Sequence, residues 1–266
     1  MKNIISSIRN EALLLESLLN DLDEETWRAQ TAFKYWSPEI IVSHLLYFDR
    51  MTIYSHQDKE MFNREASFLL QAFTSETNSL KRAQLVLDRL AIHEQSSMIN
   101  TWKKSNQEMT TIFLGVNPDK RCQWFGPDMN ARMFMIARYM ETWAHAQAIY
   151  DLVSRVRNYT DDIEHIVQIG IKTFKWTFRN RKLDVPEIFP YLELVSPSGD
   201  IWSFNDANDE ESIKGKASDF CHVVTQNKNI KDTELEVRGK ISEHWMSIAQ
   251  CFAGDPEDPP KQGTRN

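Results

Sequence analysis

The sequence predicts an α+β protein: an up-and-down helical bundle followed by a small α+β domain. Apolar residues recur at helical spacing through the first two-thirds of the 266 residues. From Leu183 the texture changes to short alternating stretches separated by turn residues. With 41 % apolar and 26 % charged residues, the composition is that of a globular chain with a sizeable core.

The first helix follows from "IISSIRNEALLLESLLNDL", where Ile4, Ile5, Ile8, Leu13, Leu15, Leu18 and Leu19 make a helical stripe. The second is "WSPEIIVSHLLYFDRMTIY", with Ser37 as N-cap and Pro38 at the first helical position, where a missing N–H costs nothing. A third spans about 76–114. A fourth begins after Gly126 and Pro127, is capped by Asp128 or Asn130, and runs to about Arg157. A fifth, "IEHIVQIGIKTFKWTFRN", follows a polar break at 160–162. Then "YLELV" and "IWSF" flank a "PSG" turn and read as a β-hairpin. "ESIKGKASDFCHVVTQ" reads as a strand entering a helix capped by Ser218 or Asp219. "LEVRG" is a short strand, and "SEHWMSIAQCFAG" is a closing helix ending at Gly254. The expected domains are therefore 1–182 for the bundle and 183–254 for the α+β part, with 255–266 an extended polar tail.

A net charge of −7, with no basic cluster, argues against nucleic acid or an anionic membrane surface as partner. Cys122, Cys221 and Cys251 are far apart and form no CxxC pair, which reads as reduced thiols in the cytoplasm. The charged N-terminus is no signal peptide, and no run approaches the roughly 20 apolar residues of a membrane span. No glycine-rich phosphate loop is present. The expected partner is a small-molecule substrate, and the protein is expected to be a monomer or homodimer.

Chemistry concentrates on the fourth helix. Between residues 131 and 153 its only charges are Arg132, Arg138, Glu141 and Asp151, and apolar residues surround its whole circumference, the mark of a buried helix. Glu141 and His145 are four apart and project from one face. His44, on the second helix, shares its face with Ile40, Ile41, Tyr47, Phe48 and Met51. One His from one helix and Glu-x-x-x-His from another make a sensible set of ligands for a divalent metal, with zinc favoured by the donor types. The spacing alone also fits a surface pair or a hydrogen-bonded core pair.

Taken together, "W-S-P" followed by "EIIVSHLLYFDRM", and later "RYMETWAHAQA", resemble the DinB-like superfamily, and more closely its mycothiol-dependent maleylpyruvate isomerase branch. "WFGPDM" at 124–129, "METWAH" at 140–145, "DFCHVVTQ" at 219–226 and "AQCFAG" at 249–254 resemble a set of two-domain members described only as metal-binding proteins. The resemblance implies a DinB-like metal-binding bundle and a sterol-carrier-like second domain. It also implies metal ligands at His44, Glu141 and His145, and a possible low-molecular-weight thiol as co-reactant. One departure stands out. Where the isomerase carries a functional arginine after the strand–helix unit, this chain reads "TQNKN", with Asn227 and Lys228.

Trp124, Gly126 and Pro127 enter the ligand helix, either as a pocket rim or as a packed loop. Arg179, beside Trp176, suits either its helix dipole or a substrate carboxylate at the junction of the domains. Cys221 reads as a small buried hydrophobe, and Asp49, next to Arg50, as a salt-bridged or supporting residue. His56, His93, His165 and His244 read as surface residues. Two functions follow as expectations. One is a metal-dependent isomerase, thiol transferase, lyase or hydrolase acting on a small, carboxylated substrate through an activated thiol or water. The other is a non-catalytic carrier of an apolar or acyl ligand, with a structural metal.

Overall fold

The computed structural model describes residues 1–125 and 128–265, so Gly126 and Pro127, expected at the rim of the ligand helix, lie outside the described residues. By compactness the chain divides into Met1–Arg155 and Val156–Asn266. The sequence reading draws its boundary at 182, but the helices over 164–180 pack on later elements and belong to the second unit.

The first unit contains α1 (Lys2–Asn20), α2 (Glu24–Arg28), α3 (Pro38–Gln57), α4 (Lys59–Ser75), α5 (Ser79–Leu90), α6 (Gln95–Leu114) and α7 (Ala131–Leu152). A two-residue ladder pairs β1 (Arg121–Cys122) with β2 (Met129–Asn130) just before α7. Ser37 caps α3 as its sequence predicts, its hydroxyl accepting the Ile40 N–H at 3.3 Å with Pro38 following. Asn130, not Asp128, caps α7, accepting the Met133 N–H at 2.8 Å. The helix then stops at Leu152, short of Arg157.

The single helix expected over 76–114 is two. Ala91 takes a left-handed conformation at φ 53°, and Glu94 restarts the chain by accepting the Ser96 and Ser97 N–H groups. α3 packs against α5, α6 and α7, and α1 against α6 and α7. The core between them holds Trp27, Leu45, Leu46, Trp102, Ala146 and Ile149. It provides a rigid frame in which α3 and α7 face one another.

In the second unit a 3-10 turn at Asp161–Ile163 leads into α8 (Glu164–Lys172) and α9 (Phe174–Asn180), so the expected fifth helix breaks at Thr173. The sheet contains β3 (Tyr191–Val195), β4 (Ile201–Phe204), β5 (Ser212–Lys216) and β6 (Glu236–Arg238) in the order β4-β3-β5-β6. β3 and β4 form the foreseen hairpin, with Val195 opposite Ile201 and Leu192 opposite Phe204. β5 runs parallel to β3, and β6 antiparallel to β5. Leu192 and Leu194 alternate inward and are fully buried.

β5 enters α10 (Ala217–Val224) directly. Neither Ser218 nor Asp219 caps it; the N-cap is Lys216, without a side-chain bond. α8 approaches α10 closely at Gly170, where a Cβ would stand 3.0 Å from Phe220 and 3.1 Å from Val224. The closing helix α11 is Lys240–Ile248, ending before Gly254. Its first turn is held by Glu211, whose carboxylate accepts the Ile241 and Ser242 N–H groups at 3.1 and 2.8 Å.

The polar tail is extended but fastened. Arg181 pairs with Asp258, Asn229 donates to the Pro260 carbonyl, and Arg265 is buried. No helix among the described residues is long and apolar enough to cross a membrane.

Candidate metal centre

α3 and α7 bring His44, Glu141 and His145 together. The Nε2 atoms of both imidazoles lie 3.3 Å from the same carboxylate oxygen, Glu141 Oε2. One ligand atom from each of the three residues fits within a 4.8 Å span. Among the described residues this is the one group of three or more His, Cys, Asp or Glu side chains close enough to share an ion, and no fourth such residue joins it. Their side chains are 19 %, 22 % and 11 % exposed, so the cluster is sheltered but not sealed from solvent.

The protonation states suit ligation. Burial drives His44 down to about 4, against the opposing hydrogen bond from Glu141, so its imidazole is neutral near pH 7. Burial pushes Glu141 up, but the hydrogen bonds from His145 and His44 outweigh it and hold the carboxyl well below its usual range. A neutral imidazole and an ionised carboxylate are the forms that bind metals. Among the described residues the carboxylate has no Lys or Arg partner, only the two imidazoles. A divalent cation among two nitrogens and an oxygen would supply the missing compensation, and this donor set fits zinc.

This has a consequence for the metal-free protein. An unfolded histidine titrates near 6.5, so between that pH and about 4 the unfolded chain binds a proton that folded His44 refuses. Stability therefore falls as pH drops through this window, by roughly 3 kcal/mol in all. Urea unfolding of metal-free protein at about pH 7 and about pH 4.5 is expected to show most of that loss. A His44→Phe variant is expected to have a flatter dependence, and equal slopes in the two proteins would refute the assignment.

An aromatic collar surrounds the ligands. Trp36 stacks on His145 with ring centroids 5.5 Å apart and planes at 10°, and lies 5.3 Å from His44. Phe33 meets His145 edge-on at 5.1 Å, and Phe48 lies 4.6 Å from His44. Phe33 and Trp36 are delivered by a tight turn in which Trp36 N–H donates to the Phe33 carbonyl at 2.9 Å. Its two central residues, Lys34 and Tyr35, have φ of 51° and 61°, the pattern of a type I′ turn without glycine. Each such residue costs about 1–2 kcal/mol. Sequence reading missed this collar, although "W-S-P" had already marked Trp36 as the residue before the cap.

Trp124 is one ring removed from the cluster, 6.0 Å from Phe48 and 4.7 Å from Phe134, so it packs the loop that enters α7. Trp176 and Arg179 lie on α9 of the second unit, Trp176 half-buried and Arg179 exposed. Asp49 is ion-paired as expected, but with Arg138 and not its neighbour Arg50. Cys221 is fully buried, and burial pushes its thiol well above the ordinary range, as befits a core residue and not a nucleophile. His222, whose place next to Cys221 in the sequence suggests a thiol–imidazole pair only until helical geometry points the two apart, is also buried, with Nε2 2.7 Å from the Tyr159 hydroxyl. His56 and His165 are half-buried and not surface residues, whereas His93 and His244 are exposed. An arginine does reach the "TQNKN" segment, from the tail: Arg265 donates to the Gln226 carbonyl at 3.2 Å and to Asn227 Oδ1 at 3.1 Å.

Comparison with known proteins bears on the family and the fold. The family model described as the mycothiol maleylpyruvate isomerase N-terminal domain matches residues 8–150, a segment that holds all three ligand candidates. Two relatives from Mycobacterium tuberculosis, in strains CDC 1551 / Oshkosh and ATCC 25618 / H37Rv, are each described as an uncharacterized protein. Each is 29 % identical over 253 residues, covering 95 % of this chain and 96 % of the relative. The crystal structure of the mycothiol-dependent maleylpyruvate isomerase superposes with a TM-score of 0.51 at 14 % identity, covering 84 % of this chain and 87 % of the isomerase. A histidine-to-alanine mutant of that isomerase gives 0.52 at 12 % identity over the same shares. At these identities the two structures speak to the fold, and the fold is the α+β one predicted.

Proposed function

Since this chain belongs to the mycothiol maleylpyruvate isomerase N-terminal domain family, we propose that it is a divalent-metal enzyme that uses an activated thiol or water on a small carboxylated substrate. The observation that carries the reading is the convergence of one ligand atom each from His44, Glu141 and His145 within 4.8 Å, from two helices of one bundle. A closed structural zinc site normally has four protein ligands, and three with an open side is the catalytic arrangement. The carrier reading lacks a comparable observation.

In this proposal His44, Glu141 and His145 hold the ion, with zinc expected. Bound there, the ion would lower the pKa of a thiol or water and polarise a substrate oxygen. The chain's own residues do the rest. His44 offers its lone pair because burial keeps it unprotonated at neutral pH. Glu141 contributes the negative charge. Phe33, Trp36 and Phe48 exclude water from the imidazole faces, and so strengthen electrostatic interactions inside the site. Trp124 remains a candidate for substrate contact in the first unit; in the second, Trp176 and Arg179 are candidates in their own right, Arg179 through its fork for a carboxylate. Three free cysteines and the thiol chemistry both suit a reducing cytoplasm.

Cobalt-substituted protein tests the choice of co-reactant. Titration with a low-molecular-weight thiol is expected to produce a sulfur-to-cobalt charge-transfer band that saturates at one equivalent of sites. A cobalt spectrum indifferent to thiols but shifted by azide would overturn the thiol branch and leave water activation.

A further inference from the structure

Beneath the ligand cluster lies a polar node that neither the family match nor the ligand set explains. Arg138 and Asp49 are 3 % and 0 % exposed, and the guanidinium reaches Asp49 Oδ1 at 3.0 Å. A terminal nitrogen of Arg138 also donates to the Leu45 carbonyl at 3.4 Å. Asn106, from α6, donates to Asp49 Oδ2 at 3.2 Å. One node thus ties α3, α6 and α7 together.

Its placement is specific. Arg138 stands three residues before Glu141 and seven before His145, so all three lie along one stripe of α7. Leu45, whose carbonyl accepts from Arg138, is the residue next to His44. The contact that fixes α3 against α7 is therefore made within about one helical turn of His44 and Glu141 and about two turns of His145.

A buried ion pair is a poor device for stability. Desolvating both charges offsets most of their attraction, and apolar replacements of similar size are often neutral or stabilising. What an arginine fork adds is geometry, because its donors have fixed directions. Ligand sites need that geometry: they tolerate displacements of roughly 0.5 Å, while a slip of one helix residue moves a side chain by about 1.5 Å along the axis.

Building on the metal reading above, we propose that Arg138 and Asp49 are positioning residues for the site, holding α3 and α7 at the register that lets His44 meet Glu141 and His145. The pair touches neither ion nor substrate and acts through the ligands' backbones.

The test compares zinc affinity with thermal stability, measured by competition against a chromophoric chelator and by circular dichroism. The double variant Asp49→Leu/Arg138→Met is expected to melt at or above the wild-type temperature while its zinc affinity drops 10–100-fold, the range typical of lost outer-shell support. A pair that served stability alone would leave zinc affinity untouched. Arg138→Lys keeps the charge but not the fork, and is expected to lose about 10-fold. A folded double variant that binds zinc within about threefold of wild type overturns the proposal. Should that variant not fold, the same criterion applied to Arg138→Lys decides. Wild-type protein that binds no zinc would defeat the metal reading itself, and this proposal with it.

Discussion

His145→Ala protein is expected to fold normally and to lose zinc affinity by at least about 100-fold, more than the loss of an outer-shell partner causes. His44→Ala is expected to do the same. The reason is geometric. Three donors are the whole set among the described residues, so removing one leaves two, and nothing nearby can substitute. Folding is spared because neither imidazole fills the core: His44 and His145 are partly exposed, while Leu45, Ala146 and Ile149 beside them carry the packing. Glu141→Gln separates charge from shape. It keeps an oxygen donor but removes the only anion, and its loss is expected to lie between wild type and the histidine variants. Metal content measured by elemental analysis after gel filtration checks all three. Stoichiometric zinc in both histidine variants would remove this cluster from consideration.

Gly239→Ala is expected to destabilise the second unit by on the order of 4 kcal/mol. Gly239 has φ 95° and ψ 153°, a region essentially confined to glycine. A Cβ there would also fall inside the van der Waals radii of the Glu210 carbonyl oxygen and the Glu211 carboxylate. Glu211 cannot simply retreat, because it holds the first N–H groups of α11 and the Ser242 hydroxyl. Backbone strain, overlap and loss of a cap therefore act together. Thermal or urea unfolding of the variant measures the effect. A shift below about 1 kcal/mol would mean that the β6–α11 junction relaxes far more easily than its contacts suggest.

The ligand helices were legible because each carries a strong local signal. α7 is apolar on every side, with Asn130 as cap, and α3 begins at Ser37-Pro38. The hairpin was legible through alternation around a glycine turn. α4 was not, since Phe62, Leu69 and Ala72 are sparse among Lys59, Glu60, Arg64 and Glu65, and its inward stripe is thin. The break between α5 and α6 escaped notice because an alanine takes the left-handed position and a glutamate the cap, residues that rarely mark either. At the site, His44, Glu141 and His145 stood out as polar residues in apolar stripes. The Asp49–Arg138 pair did not, because its partners are 89 residues apart and the nearer Arg50 offered a local alternative. The collar of Phe33 and Trp36 arises from a turn whose sequence, Lys34-Tyr35, lacks the glycine or asparagine that announces left-handed backbone.

That same turn gives the protein a built-in light source. An indole lying flat on a candidate ligand's ring, as Trp36 does on His145, emits beside whatever ion the ring holds. Occupancy by a paramagnetic ion such as cobalt should therefore dim this one fluorophore more than its seven counterparts elsewhere in the chain, and the difference spectrum against Trp36→Phe would isolate its emission. Loading and release could then be followed in real time, at nanomolar protein, without a substrate in hand.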